Sequence, residues 1–289
     1  MDPSRKVWFI TGTSSGLGRC LVSSALARGD CVIATVRHLE DFALPDVDRS
    51  RLRVVVLDVT DTEENIQTAV DDALTFWGRV DVLVNNAGYA SKCMVEEGRS
   101  SAAIAQFHTN FFGALKVTNA VIPHMRQRRS GTLVFLGSRS VWQANVPAVG
   151  FYIASKAAIH AMSECLAAEL AEFGIRILLI APGGFRTGSN DRISYTMNRH
   201  VPAYDGTREN VLKNLDEYWK HAKGDPAKAM EVLVDVVRSE GKAKGRELPG
   251  FLLLGNPAYV QGRAHCEQMV QNMDSWEDIA KDLDFDSDE

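Results

Sequence analysis

The stretch Val7-Trp8-Phe9-Ile10-Thr11-Gly12-Thr13-Ser14-Ser15-Gly16-Leu17-Gly18 decides how the chain is read. Its apolar start reads as a short strand, and residues 17–28 carry a helical pattern. Between them, glycines permit a sharp turn and a close approach of backbone to ligand. A doubly wound sheet holds a dinucleotide's pyrophosphate at such a turn, against the unpaired N–H groups that open the first helix. The spacing is T-G-x-x-x-G-x-G rather than G-x-G-x-x-G, so the flanking strand and helix carry the assignment.

The alternation continues outward from this turn. Apolar runs at 31–36, 53–57, 80–84, 132–136, 175–180 and 251–254 are separated by helical patterns at 62–77, 102–128, 150–173 and 226–239. With the first strand and helix, these predict an α/β fold: a Rossmann-type doubly wound parallel sheet of about seven strands with helices on both faces. Thr60-Asp61-Thr62-Glu63 fits a capping box, and Asp225-Pro226 supplies an N-cap with proline at the first helical position. The helices at 102–128 and 150–173 are long and apolar on more than one side, which suits a core and also a subunit interface. Residues 188–224 break the pattern and are expected to form an irregular insertion with short helices, serving as a substrate lid. Residues 274–289 hold eight acids against one lysine and read as a solvated, partly frayed tail.

All 289 residues are expected to form one domain. The net charge of −5 argues against a general nucleic-acid surface or an anionic-membrane surface. Five scattered cysteines (Cys20, Cys31, Cys93, Cys165, Cys266) include no C-x-x-C pair, so neither a metal site nor dithiol chemistry is expected. The start, from Met1-Asp2-Pro3, shows no signal-peptide pattern, and no run is long enough to span a bilayer, which makes the cytoplasm the expected location.

The chemistry is placed in Phe151-Tyr152-Ile153-Ala154-Ser155-Lys156-Ala157-Ala158. Tyr152 and Lys156 are four residues apart, on one face of a helix. A phenol titrates near 10, and a neighbouring ammonium favours its ionised form, at about 1.4 kcal/mol per unit of lowering. The pair therefore suits general acid/base work, although a tyrosine packed beneath a lysine stem is also common on amphipathic helices.

Three motifs in order, the glycine turn, Asn85-Asn86-Ala87-Gly88 after the fourth strand and Tyr152-x-x-x-Lys156, resemble the short-chain dehydrogenase/reductase family over roughly residues 6–187. The resemblance implies a catalytic tetrad of Asn110, Ser138, Tyr152 and Lys156, with Asn110 anchoring a proton-relay water. The family's second serine falls thirteen residues before the tyrosine, where this chain has Arg139 between Ser138 and Ser140. Strand register favours Ser138, with Ser140 as the alternative. The cofactor-binding residues implied are Gly12, Ser14, Ser15, Gly16, Leu17, Gly18, Arg37, Asp58, Asn86, Ala87, Gly88, Tyr152, Lys156, Pro182, Gly183 and Thr187. Asp58 would meet adenine, or merely cap a turn; Thr187 would meet the nicotinamide carboxamide. The second strand ends Ala34-Thr35-Val36-Arg37-His38, with no acid before Glu40, so NADP(H) is expected, with Arg37 and Ser14 on the 2′-phosphate.

Candidate substrate walls are 89–95, 141–149 with Trp142, and Tyr195, Met197 and Tyr204. Their apolar content suggests a medium-sized, mainly apolar ketone, aldehyde or secondary alcohol, and the second-strand region is similar to steroid- and retinoid-type members. Arg139 and Arg186 are candidates for a polar substrate group or plain surface residues. The expected activity is carbonyl/alcohol interconversion with NAD(P), chiefly as a reductase. Secondary-metabolism tailoring in the oxidative direction and non-catalytic NADP sensing are the alternatives. Family members are often homodimers or homotetramers through the two long helices, and monomers also occur.

Overall fold

A computed structural model describes residues 4–44, 48–143, 145–188 and 194–285. Seven strands, β1 (Val7–Ile10), β2 (Cys31–Val36), β3 (Leu52–Val56), β4 (Val82–Asn85), β5 (Gly131–Leu136), β6 (Ile175–Pro182) and β7 (Phe251–Leu254), form one sheet in the order β3-β2-β1-β4-β5-β6-β7. Every pairing is parallel, from Val7 against Cys31 in β1–β2 to Pro182 against Leu254 in β6–β7. The chain winds outward from β1 in one direction and from β4 in the other, so the switch point lies between these two strands. In such sheets a ligand crevice opens there, beyond the carboxyl ends.

Both faces of the sheet are covered, which is why its central strands are apolar throughout rather than alternating. One layer is α1 (Gly16–Ala27) with α7 (Pro226–Arg238), packed on Trp8, Ile10, Val84 and Val134. The other is α2 (Glu63–Leu74), α4 (Ala114–Arg128) and α5 (Gly150–Leu170), packed on Phe9, Leu83, Leu133 and Phe135. Each fully buried side chain of this size contributes roughly 1.5–3 kcal/mol.

The structure departs from the sequence reading at four places. The helix expected at 102–128 is two, α3 (Val95–Phe107) and α4, joined by a π-helical turn at His108–Gly113. α3 also begins earlier than expected and is broken at Arg99, whose φ of 56° interrupts the periodicity that marks a helix. The cap of α2 is Thr62, which accepts from the Asn65 amide at 3.2 Å; Thr60, two residues earlier, instead donates its hydroxyl to Asp58. Within the expected lid, α6 (Asp205–Lys220) is a regular helix of 16 residues, polar enough that none is buried. The expected frayed tail is helical at its start, because α8 (Asn256–Ala280) runs through residues 274–280. Residues 1–3, 144 of one expected substrate wall, 189–193 of the lid and 286–289 of the tail lie outside the described residues. Among the described residues, no helix is long and apolar enough to cross a membrane, and no cluster could hold a metal ion.

Candidate active site

The glycine turn folds as its sequence requires. Gly12 has φ 69°, and a Cβ there would sit 2.8 Å from Ala87 Cα. A Cβ on Gly18 would lie 2.4 Å from the Gly12 carbonyl and 2.5 Å from Asn86 Nδ2. The turn is thus built against the loop after β4, and Asn86 fastens it by donating Nδ2 to the Thr11 and Gly12 carbonyls at 2.8 and 2.9 Å. Asn86 and Ala87 also donate their amides to Thr11 Oγ1, both at 3.0 Å. α1 starts after Ser15, whose side chain makes no capping bond, and its first turn holds no acid. Its free N–H groups and positive dipole end suit a phosphate.

Other expected cofactor residues gather on the same edge. Thr13 donates both its amide and its hydroxyl to the Thr35 carbonyl at 3.0 Å, which sets Ser14 beside the end of β2. Arg37 follows β2 and is exposed. Thr187 packs beside Gly16, where an added Cβ would be 3.3 Å from Thr187 Cβ. Gly183 donates to the Leu254 carbonyl at 2.8 Å, tying the turn after Pro182 to β7. The Asp58 carboxylate accepts from the Thr60 amide and hydroxyl at 2.8 and 2.7 Å, so in this structure it caps its own turn.

The expected tetrad residues come from the π-helical turn (Asn110), the segment after β5 (Ser138) and α5 (Tyr152 and Lys156). Asn110, seated in the π-helical turn and buried, accepts from the Tyr89 amide at 3.0 Å and donates to the Tyr89 carbonyl at 2.9 Å and to Ser155 Oγ at 3.1 Å. The buried Lys156 donates to the Leu136 carbonyl at 2.5 Å. Gly88 marks where they meet, since its missing Cβ would lie 3.0 Å from Asn110 Oδ1 and 3.7 Å from Lys156 Nζ. Ser138, also buried, ends β5 with its hydroxyl accepting from the Ser140 amide at 3.1 Å. A short 3₁₀ turn at Arg139–Trp142 takes up the extra residue before Tyr152.

The electrostatics differ from the sequence expectation. Burial pushes the Tyr152 phenol above its usual value, opposed by a hydrogen bond with the Ser138 side chain and by the Arg139 charge. The groups that lower it are Ser138 and Arg139 rather than Lys156, whose amine donates to the Leu136 carbonyl and is itself brought down to about 8 by burial.

Several expected substrate contacts are spent on the protein. Arg139 donates to Gln143 Oε1 at 3.2 Å, to Gln261 and to the Tyr218 hydroxyl at 2.7 Å, and Arg186 donates to the Ala222 carbonyl at 3.1 and 3.2 Å. Trp142 packs on His160 and Phe251. Tyr195 donates its hydroxyl to Glu97 and accepts from the Met94 amide at 2.8 Å; Tyr204 donates to Glu96 at 3.2 Å.

Two groups escaped the sequence reading. His160 Nε2 accepts from the Ser138 amide at 3.3 Å, and a Cβ on Gly137 would collide with it at 2.3 Å. Burial and the Lys156 charge bring His160 down to about 4, so the ring is a neutral acceptor. Its position one turn beyond Lys156 was the available signal. The other group is the buried Glu97, which Arg208 reaches from α6; it stands next to Glu96 in the first turn of α3, and nothing in the sequence marks which of the two acids is buried.

The model of the short chain dehydrogenase family matches residues 6–198. The chain belongs to the short-chain dehydrogenase/reductase family, and it is an oxidoreductase of the class acting on CH–OH with NAD(P). Among its relatives, "Oxidoreductase BOA17" of Botryotinia fuckeliana is 32% identical over 278 residues, covering 95% of this chain and 98% of that protein. A "3-ketodihydrosphingosine reductase" of Bacteroides thetaiotaomicron is 34% identical over 73% of each chain. A short-chain dehydrogenase structure from Streptomyces avermitilis superposes with a TM-score of 0.81 at 34% identity, covering 97% of this chain and all of that one.

Proposed function

We propose that this oxidoreductase uses NADP(H) to interconvert a ketone or aldehyde and an alcohol on a medium-sized, mainly apolar substrate, chiefly as a reductase. The observation that carries the reading is the meeting of Ser138, Tyr152 and Lys156 beside the glycine turn, at the carboxyl edge of the sheet. A relative named for a 3-keto lipid is in keeping with an apolar ketone.

The cradle suits a dinucleotide: Gly12 and Gly18 let the turn close against Ala87 and Asn86, and α1 behind it presents an uncapped N-terminus. Residues 14–18 would hold the pyrophosphate, Arg37 and Ser14 the 2′-phosphate, and Thr187 with residues 86–88, Pro182 and Gly183 the nicotinamide half. Asp58 Oδ2 is left to contact adenine while Oδ1 caps the turn. Bound NADPH supplies hydride to the carbonyl carbon. Ser138 orients the carbonyl oxygen and Tyr152 donates the proton that turns the alkoxide into alcohol. A phenol raised by burial keeps its proton at neutral pH, which is the state a reductase needs. Lys156 orders the cofactor's ribose, and Asn110 fixes the wall between the loop after β4 and α5. Exposed Ile104 and Phe112 suit pairing of subunits through the helices around α4 and α5, and the free thiols of all five cysteines accord with a cytoplasmic location.

The test measures NADPH and NADH affinity by nicotinamide fluorescence in the wild type and in Arg37→Asp, followed by NADPH oxidation with a panel of ketones and aldehydes. Wild type should prefer NADPH by at least about tenfold, or about 1.4 kcal/mol, and the variant should lose that preference. Unchanged preference in Arg37→Asp removes Arg37 from the phosphate site. NADPH binding with no turnover on any carbonyl would favour a sensing role.

A further inference from the structure

α8 leaves the body of the protein soon after it begins. Its first turns are held by Gln261, which bonds Arg139 and Gln143, and by Gly262 beside Leu253 and Trp142. From Cys266 to Phe285 every residue is exposed, and the side-chain hydrogen bonds found there, Gln268 to Asn272, Ser275 to the Gln271 carbonyl and Lys281 to Glu277, stay within the segment. A helix of this length is marginal in water without a packed face. Yet Met269, Val270, Met273, Trp276, Ile279 and Leu283 are each more than half exposed.

Their order is not random. Cys266, Met269, Met273, Trp276, Ala280 and Leu283 follow one another at intervals of three, four, three, four and three residues, the a/d spacing of a coiled-coil seam. Leu283 continues the spacing just past the helix end. A surface helix that merely covers its own core turns its apolar face inward; α8 leaves this seam, flanked by Val270 and Ile279, exposed.

We propose that this seam is a docking surface for a second copy of the chain, packed antiparallel as a two-helix coiled coil about a twofold axis. Charge selects the direction. The distal part carries Asp274, Glu277, Asp278, Asp282 and Asp284 against Lys281, whereas the proximal part carries Arg263 and Glu267. A parallel pair would set acidic end against acidic end. Antiparallel packing separates those ends and sets each against the proximal part of the other copy, where Arg263 and Glu267 balance. Within α8 the same register gives complementary layers, Met273 facing Trp276 and Met269 facing the small Ala280; one further helical turn beyond Ala280 on pairing would set Leu283 against Cys266. A seam of about two heptads falls at the small end of specific interfaces, so the dimer is expected to depend on protein concentration. The contact is isologous, so it closes on itself as a dimer. It is independent of the reaction and separate from any pairing around α4 and α5.

Light scattering after size exclusion, over a concentration series, tests the proposal on the full chain. Met273 and Trp276 are 65% and 62% exposed, so Trp276→Glu and Met273→Glu should leave the circular dichroism of the body and its thermal transition unchanged while halving the wild-type mass. A wild type that is monomeric throughout, as expected if another protein or a lipid surface covers the seam, overturns the proposal; so does a Trp276→Glu protein with the wild-type mass. Orientation is read by oxidative cross-linking in a Cys165→Ser background. Leu283→Cys should give a covalent dimer through Cys266, and the parent should not. A Cys266-to-Cys266 dimer in the parent would overturn the antiparallel register.

Discussion

Ser138 and Ser140 stand two residues apart at the end of β5 but in different surroundings. Ser138 is buried, its amide bonded to His160 and its side chain to Tyr152; Ser140 is half-buried and lends its amide to Ser138 Oγ. Removing an oriented hydroxyl from a developing charge costs roughly 10²–10³ in turnover. Ser138→Ala should therefore lose about that factor in kcat with NADPH affinity retained, and Ser140→Ala should stay within a few-fold. The opposite pattern in steady-state kinetics would move the role to Ser140. The sequence argument for Ser138 is that strand register is stiff while the following loop is not. The direction of the Tyr152 shift was not, because helical spacing says which groups are neighbours and nothing about the Leu136 carbonyl that holds the amine.

At the scale of elements, the segment that crosses to α6 is fastened to α3. The fully buried Glu97 accepts from Tyr195, from the Val201 amide at 3.0 Å and from Arg208. Burial alone would raise its carboxyl, but Arg208, Tyr195 and the Val201 amide hold it down to about 2, from 4.5. Arg208→Ala leaves that carboxylate buried without its cation, which should cost about 3 kcal/mol and show as a lower urea midpoint. The carboxylate's contribution is present above pH 4.5 and is lost as pH falls towards 2. The variant's deficit should therefore shrink on acidification through that window. A deficit independent of pH, or none, would contradict the fastening role. Sequence pattern misread this region for a physical reason: α6 buries no residue, so it carries little periodicity, and the partners of Glu97 come from about 100 residues away.

For the molecule as a whole, alternation of buried strands and amphipathic helices made the parallel sheet legible before any contact was known. Strand ends shifted by only one or two residues, and the glycine turn fell at the switch point where the sequence put it. What stayed hidden was the exposure of the apolar residues on α8, because exposure is a property of the folded body.

The central claim is that the Tyr152 phenol donates the proton that completes carbonyl reduction. The most direct measurement is single-turnover decay of bound NADPH fluorescence, in the wild type and in Tyr152→Phe, with a ketone or aldehyde that the wild type reduces. The account predicts unchanged NADPH affinity and a rate lower by about 10²–10⁴-fold in the variant. Equal rates in the two proteins would contradict it.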